Sequence, residues 1–198
     1  MIQFKKETHE YFVDDIKMPS VTQVISWSLK VDFSYVNEVL LQRATDWGIE
    51  VHETTQLIDW EMIDYSTLEG RMLKAAQSWV EFSKDYEILE IEKPYYYEGF
   101  CGTIDRVLRH KETGQIYIVD LKTTSTLDRK IGLQLSAYAY LWCQNNDVAW
   151  DSVKLMAVQF NKQGLIKTKS YENEWPVFQA MLIVWQWENK FKKGKENE

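Results

Sequence analysis

Two stretches rich in apolar residues, at 103–109 and 115–122, are separated by a short polar segment at 111–114 (KETG). Runs of this kind are typical of β-strands, and a short segment containing glycine between them predicts an antiparallel hairpin. Residues 116–119 (IYIV) are continuously apolar, which is typical of a strand buried on both faces. The centre of the chain is therefore predicted to form the middle of a sheet.

The rest of the pattern alternates between helical and extended periods, without an internal repeat or a linker. It predicts helices at 34–65, 66–86, 131–145 and 174–191, and extended segments at 10–13, 86–97, 152–160 and 165–170. We expect one α/β domain over 1–198, with a mainly helical part at 1–86, a sheet region at 87–170, and a C-terminal helix and tail at 171–198.

The predicted hairpin gathers charged residues at one place. Asp105 and Asp120 lie nearly equidistant from the turn, so folding places them opposite each other, and Lys122 shares the face of Asp120 because side chains alternate along a strand. An exposed charged strand face would explain the same pattern. Two carboxylates at a partly buried place are instead costly unless a cation neutralises them. Mg²⁺ and Mn²⁺ are the cations that prefer such oxygen ligands.

Composition limits what the chain can do. The net charge is −7, which argues against tight, non-specific coating of duplex DNA, since that affinity comes from many phosphate contacts. It leaves open a narrow site where metal ions and a few Lys and Arg meet a single strand. Cys101 and Cys143 are too few for a structural zinc site or a four-cysteine iron–sulfur cluster. We expect both thiols to be small buried groups.

Neither a membrane span nor a secretion signal is expected from the sequence. No apolar run approaches the roughly 18 residues of a membrane span, so we expect no membrane partner. The first residues, MIQFKKETHEYF, lack the apolar core of a signal peptide. We therefore expect a cytoplasmic protein, in a bacterial host if it is viral.

The segments GTIDRV, IVDLKTT and QLSAYAY together resemble the RecB-like branch of the PD-(D/E)XK nuclease superfamily. In that branch an Asp on one strand precedes D-x-K on the next, and a helix with Q-x-x-x-Y follows. Here the matching residues are Asp105, Asp120-Leu121-Lys122, Gln134 and Tyr138. The segment PSVTQV at 19–24 further resembles the start of phage and mitochondrial exonucleases of the branch. The resemblance implies a restriction-endonuclease-like core, a central mixed sheet flanked by helices.

The resemblance also implies two site residues that spacing alone does not identify. A His in a G-x-x-x-H segment matches His52, four residues after Gly48, and an acidic residue on the preceding strand matches Glu92, with Glu90 as the alternative. The implied metal ligands are His52, Asp105, Asp120 and the backbone carbonyl of Leu121. Whether one ion or two bind is left open, with Glu92 reaching a second ion or its water shell.

Catalysis of phosphodiester hydrolysis would then divide between the ion and the chain. A divalent ion acidifies water and clamps a phosphate oxygen, while Lys122 would orient the attacking water. We predict Asp105, Asp120, Lys122, Glu92 and Gln134 as the catalytic residues. The candidate DNA contacts are Ser20, Thr22, Thr123, Gln134 and Tyr138, with Ser20 and Thr22 both placed to cap a helix whose N-terminus could meet a phosphate.

These residues predict a metal-dependent DNA nuclease, an exonuclease on single-stranded ends in viral-type recombination, repair or replication. A structure-specific endonuclease is the alternative within nucleases. A non-catalytic DNA-binding module that retains the fold, and a protein-interaction scaffold with an ordinary charged hairpin, are the alternatives outside them.

Overall fold

The computed structural model describes residues 2–5, 8–32, 34 and 37–195, with side chains described as far as residue 190. Its strands are β1 (Ile2–Lys5), β2 (Glu10–Val13), β3 (Ile16–Met18), β4 (Tyr86–Tyr97), β5 (Phe100–His110), β6 (Ile116–Lys122), β7 (Lys154–Phe160) and β8 (Ile166–Tyr171). Its helices are α1 (Val21–Ser28), α2 (Glu38–Asp59), α3 (Gly70–Ser83), α4 (Lys130–Asn146) and α5 (Trp175–Lys195), with a 3₁₀ turn at Tyr65–Thr67.

The central sheet has five strands in the order β4-β5-β6-β7-β8. All neighbours are antiparallel except β6 and β7, which are parallel and joined through α4, so the sheet is mixed as expected. The predicted hairpin is confirmed as β5 and β6, which pair from Arg109 with Ile116 to Arg106 with Val119. Extending this register by one residue places Asp105 opposite Asp120.

Helices cover both faces of the sheet. Successive side chains of a strand point to opposite faces, and the buried strands have apolar side chains on both. Ile118 packs in a core with residues of α1, α4 and α5, whereas its neighbour Val119 packs in a second core with residues of α2 and α3. Both residues are fully buried. This arrangement confirms the restriction-endonuclease-like α/β architecture. Among the described residues, no helix is long and apolar enough to cross a membrane.

The N-terminal region differs from the sequence prediction. Glu10–Val13 is extended as expected, but it is the middle strand of a separate three-stranded antiparallel sheet, β1-β2-β3. The helix predicted at 34–65 begins at Glu38 among the described residues and ends at Asp59, and the next helix begins only at Gly70. Residues 196–198 of the predicted tail lie outside the described part of the chain.

Candidate active site

The end of the β5–β6 hairpin holds the two aspartates in different surroundings. Asp105 Oδ2 accepts a hydrogen bond of 2.7 Å from the backbone nitrogen of Leu121. Asp120 Oδ2 lies 2.7 Å from Lys122 Nζ, without hydrogen-bond geometry. Apart from this ion pair, the buried oxygen has no partner among the described residues. A buried carboxylate oxygen with unused acceptor capacity suits a hard cation.

Helix α2 brings His52 to the same place. A Cβ on Gly48 would lie only 3.3 Å from Thr123 Oγ1, so the missing side chain allows the helix to approach the loop after β6. His52 Nε2 is 3.3 Å from the carbonyl oxygen of Leu121 and 3.9 Å from Asp105 Oδ2. The backbone of Leu121 thus contacts two predicted site residues: its N–H faces Asp105 and its carbonyl oxygen faces His52.

Glu92 completes the group from strand β4. Its carboxylate Oε1 is 3.1 Å from His52 Nδ1. The backbone of Glu92 has φ 45°, although the flanking pairs Ile91 with Arg106 and Lys93 with Ile104 keep the strand register. A left-handed residue other than glycine within a strand costs on the order of 1–3 kcal/mol, and such strain is concentrated at functional sites. The alternative acid, Glu90, instead bonds Lys93 and Tyr95.

His52, Glu92 and Asp105 each offer one ligand atom, and these atoms lie within 4.8 Å of one another. The Leu121 carbonyl lies beside them. An imidazole nitrogen with carboxylate and carbonyl oxygens is a donor set that suits a divalent ion such as Mg²⁺ or Mn²⁺. Asp120 lies outside this three-residue cluster, beside Lys122, whereas Glu92 lies inside it.

The charged groups of the cluster shift one another's pKa values. Burial alone would lower the pKa of His52, but Asp105 and the hydrogen bond to Glu92 outweigh it and raise that pKa to about 9. Burial, with Glu92 and Asp120 nearby, raises the pKa of Asp105 to about 7 although His52 opposes the change. The carboxylates therefore need a neighbouring positive charge to stay ionised. In the protein without a metal, the protonated imidazole of His52 supplies that charge.

A chain of polar groups connects Lys122 to helix α4. Lys122 Nζ donates to Gln134 Oε1 at 3.2 Å, and Gln134 Nε2 donates to the Tyr138 hydroxyl at 3.0 Å. The four-residue spacing places the amide and the phenol on one helical face, as the sequence predicts. Gly102 makes room for this helix, because a Cβ there would lie 2.6 Å from the Tyr138 ring.

Sequence reasoning missed the group that holds Glu92. Arg106 is fully buried, and its Nη1 donates to Glu92 Oε1 at 3.1 Å and to the Asp105 carbonyl oxygen at 2.6 Å. Its Nε donates to Asp59 Oδ2 at 2.5 Å, and its Nη2 donates to Thr55 Oγ1 at 3.0 Å. The one available signal was an arginine that, together with Asp105, interrupts the apolar residues of β5.

The other predicted DNA contacts have different local roles. Ser20 alone caps α1, accepting from the backbone nitrogen of Gln23 at 3.1 Å, while Gln23 Oε1 accepts from the Ser20 nitrogen. The expectation that both hydroxyls cap the helix is corrected, since Thr22 lies inside α1 and lines the cleft described next. Thr123 lines a smaller polar cavity of about 260 Å³ beyond Lys122.

A cleft of about 620 Å³ opens over the cluster. His52, Glu92 and Asp105 line it, together with Tyr138 and residues from the N-terminal sheet. Its size is that of a site for a small molecule or part of a larger substrate. The arrangement can thus bring a substrate group into contact with the candidate metal ligands.

Comparison with known proteins identifies the family. A family model described as the PD-(D/E)XK nuclease superfamily matches residues 29–193. No curated protein matches the chain. A solved structure described as the crystal structure of SSO0001 is 16% identical, with 81% of this chain and 84% of that chain covered and a TM-score of 0.35. The chain therefore belongs to the PD-(D/E)XK nuclease superfamily, a superfamily of nucleases that use divalent metal ions.

Proposed function

We propose that this protein hydrolyses DNA as an exonuclease that acts on single-stranded ends. The observation that supports this most strongly is the convergence of His52, Glu92 and Asp105 beside the Leu121 carbonyl, in one cleft. On the sequence resemblance alone, we assign the activity to viral-type recombination, repair or replication in the cytoplasm.

The candidate ligands are His52, Glu92, Asp105, the Leu121 carbonyl and the Asp120 carboxylate, which is paired with Lys122. A bound divalent cation would supply Lewis acidity toward a phosphate oxygen and would acidify water. Mg²⁺ and Mn²⁺ both suit this oxygen-rich set. Hydrogen bonds within the protein orient two of these candidate ligands. The Leu121 N–H orients the Asp105 carboxylate, and Arg106 orients the Glu92 carboxylate.

Lys122 supplies a positive charge where negative charge develops. Burial alone would lower the pKa of its ammonium, but Asp120 and Asp105 outweigh that effect and raise it, so the group stays protonated at neutral pH. Gln134 Oε1 accepts a hydrogen bond from the ammonium and orients it. A fixed cation of this kind stabilises an anionic transition state and orients the attacking water. Tyr138, whose pKa burial raises well above its ordinary value, stays neutral and holds Gln134 in place.

The preference for a single strand is supported by charge. The chain is acidic overall, with a net charge of −7. Affinity for duplex DNA depends on neutralising many phosphates, which an acidic surface does poorly. A single strand can instead be held over a short length by a cleft, with a few polar and aromatic groups.

The test uses linear and circular single-stranded DNA, with the linear strand labelled at one end, in Mn²⁺, in Mg²⁺ and in EDTA. The proposal predicts metal-dependent release of short products from the linear strand and an intact circle. Lys122→Ala should abolish cleavage and keep DNA binding. Cleavage of the circle would instead support a structure-specific endonuclease. An undiminished rate in Lys122→Ala would rule out the proposed role of the lysine, and no cleavage in any metal would favour a non-catalytic binding module.

A further inference from the structure

The N-terminal sheet presents aromatic rings to the cleft. Phe4 of β1 stacks on Tyr11 of β2, with ring centroids 4.7 Å apart and an interplanar angle of 26°. His9 lies 5.7 Å from Phe4, measured between ring centroids. We call Phe4, His9 and Tyr11 the aromatic wall. All three line the same cleft as His52, Glu92 and Asp105.

The wall is anchored to the catalytic sheet. The Tyr11 hydroxyl is 2.8 Å from Thr103 Oγ1, and the Tyr11 side chain is buried. Between the two sheets, the carbonyl of Pro19 accepts a 2.9 Å hydrogen bond from the backbone nitrogen of Cys101. Thr103 and Cys101 belong to β5, the strand of Asp105. These contacts hold the wall at a fixed position relative to the cluster, whereas Phe4 and His9 stay partly or largely exposed.

The charge of the cleft makes this wall important for binding. Among the described residues that line it, none is Lys or Arg, whereas Glu53, Glu92 and Asp105 are acidic. Apart from a bound ion and the nearby Lys122, basic groups therefore contribute little phosphate binding in the cleft. Base–aromatic stacking is the other large term in single-strand binding, and it tolerates any sequence because every base has a π-face.

We propose that the aromatic wall, through Phe4, receives an unstacked base of the DNA strand whose phosphate lies at the cluster of His52, Glu92 and Asp105. A base inside a duplex is stacked and paired, so the wall selects single-stranded or frayed ends. The inference rests on the proposed function for the location of the phosphate. It adds a subsite for the base, built from a sheet that lies outside the catalytic core.

The test measures binding of single-stranded oligonucleotides that each have one abasic position, at successive distances from the end. Fluorescence anisotropy is recorded in the Lys122→Ala background with Mn²⁺, so that the DNA is not consumed. The compared variants are Phe4→Leu, which removes the π-face but keeps an apolar side chain, and Phe4→Trp, which keeps a π-face. Phe12→Leu is the matched control, because Phe12 adjoins Tyr11 on β2, contacts Lys5 and is not among the cleft residues.

At one abasic position we expect binding to weaken roughly tenfold in the parent protein, the size of a base–aromatic stack. Phe4→Leu should bind the intact strand more weakly by a similar factor, and the abasic position should not lower its affinity further. Phe4→Trp and Phe12→Leu should behave like the parent. Equal abasic penalties in the parent and in Phe4→Leu, or no penalty at any position, would overturn the proposal.

Failure of this inference is distinguishable from failure of the proposed function. Cleavage by the protein with Lys122 present is measured on the intact strand in parallel. Metal-dependent cleavage together with equal abasic penalties removes the stacking subsite and leaves the nuclease proposal standing. Position-specific, Phe4-dependent binding without cleavage supports the stacking subsite and contradicts the enzyme. Thermal unfolding of Phe4→Leu and Phe12→Leu, compared side by side, shows that both variants fold.

Discussion

Asp105 and Leu121 are joined across the hairpin by the hydrogen bond from the Leu121 backbone nitrogen to Asp105 Oδ2, 2.7 Å long. The bond lies beyond the last ladder pair, Arg106 with Val119. It therefore fixes the carboxylate where regular strand pairing ends. The same residue directs its carbonyl oxygen toward His52, so a single residue orients two candidate ligands.

Asp105→Asn should separate fold from metal binding. The amide oxygen can still accept from Leu121, so the metal-free protein should unfold at a similar temperature. Loss of the negative charge should remove most of the stabilisation by Mn²⁺, which for the unaltered protein amounts to about 2.7 kcal/mol at a metal concentration of 100 Kd. Thermal unfolding with and without Mn²⁺ measures both quantities. The exposed Asp151→Asn is the control, and an equal metal shift in the two variants would contradict the assignment of Asp105.

Glu92→Gln tests which acid of β4 belongs to the cluster. Glu92 bonds His52 and Arg106, whereas Glu90 bonds Lys93 and Tyr95. We expect Glu92→Gln to weaken Mn²⁺ binding by at least roughly 10- to 100-fold, since loss of a ligand should cost no less than loss of a carboxylate that supports one. Glu90→Gln should leave the affinity unchanged. Calorimetric titration of both variants with Mn²⁺ measures the two affinities. Weakened binding in Glu90→Gln, with unchanged binding in Glu92→Gln, would instead assign Glu90 to the metal site.

Arg106 should stabilise the protein because its removal leaves buried charges without a partner. The side chains of Arg106 and Asp59 are 0% and 1% exposed. Arg106→Met should lower the free energy of unfolding by about 3–5 kcal/mol, the typical cost of breaking a buried ion pair on one side.

The matched control is Arg109→Met on the same strand. Arg109 pairs with Glu87, and their side chains are 45% and 54% exposed. Pairs of this kind contribute roughly 0–1 kcal/mol. Urea denaturation of both variants gives the comparison. The double variant Arg106→Met with Asp59→Leu should recover part of the loss, since no buried carboxylate remains unpaired; a further loss would argue against that cause.

Alkaline pH should destabilise the fold through Cys101. Burial raises the pKa of this thiol from 9.0 to about 12. Well below pH 9 the thiol is neutral in both the folded and unfolded states. Above it the unfolded chain releases a proton that the folded chain retains, so stability falls as the pH rises, by about 2 kcal/mol at pH 10.5.

The measurement is urea denaturation at pH 8 and at pH 10.5. Burial also raises the pKa of Tyr11, to about 12, so part of the fall comes from that residue. Cys101→Ala should therefore show a smaller fall than the unaltered protein. Equal falls in the two proteins would show that the thiol contributes nothing to the pH dependence.

The parts of the site that follow from local sequence could be predicted. The hairpin follows from its turn segment, and the pairing of Gln134 with Tyr138 follows from helical spacing. Arg106 could not be assigned, because Asp59 and Thr55 lie 47 and 51 positions away from it in the chain. The left-handed backbone at Glu92 has no signal in its residue type.

The N-terminal sheet escaped prediction for a different reason. Its strands have only four, four and three residues, and polar side chains interrupt them. Their stability comes from pairing with one another and from anchors such as Tyr11 to Thr103, which no local pattern reveals. The placement of Asp120 beside Lys122, in contrast, follows from their two-residue spacing on one strand, and it could be predicted.

The most direct test of the account is a crystal soaked in Mn²⁺ and measured at a wavelength where manganese scatters anomalously. We expect an anomalous peak bound by His52, Asp105 and the Leu121 carbonyl, with Glu92 or Asp120 beside it. A peak elsewhere, or none at this cluster while DNA is still cleaved in Mn²⁺, would contradict it.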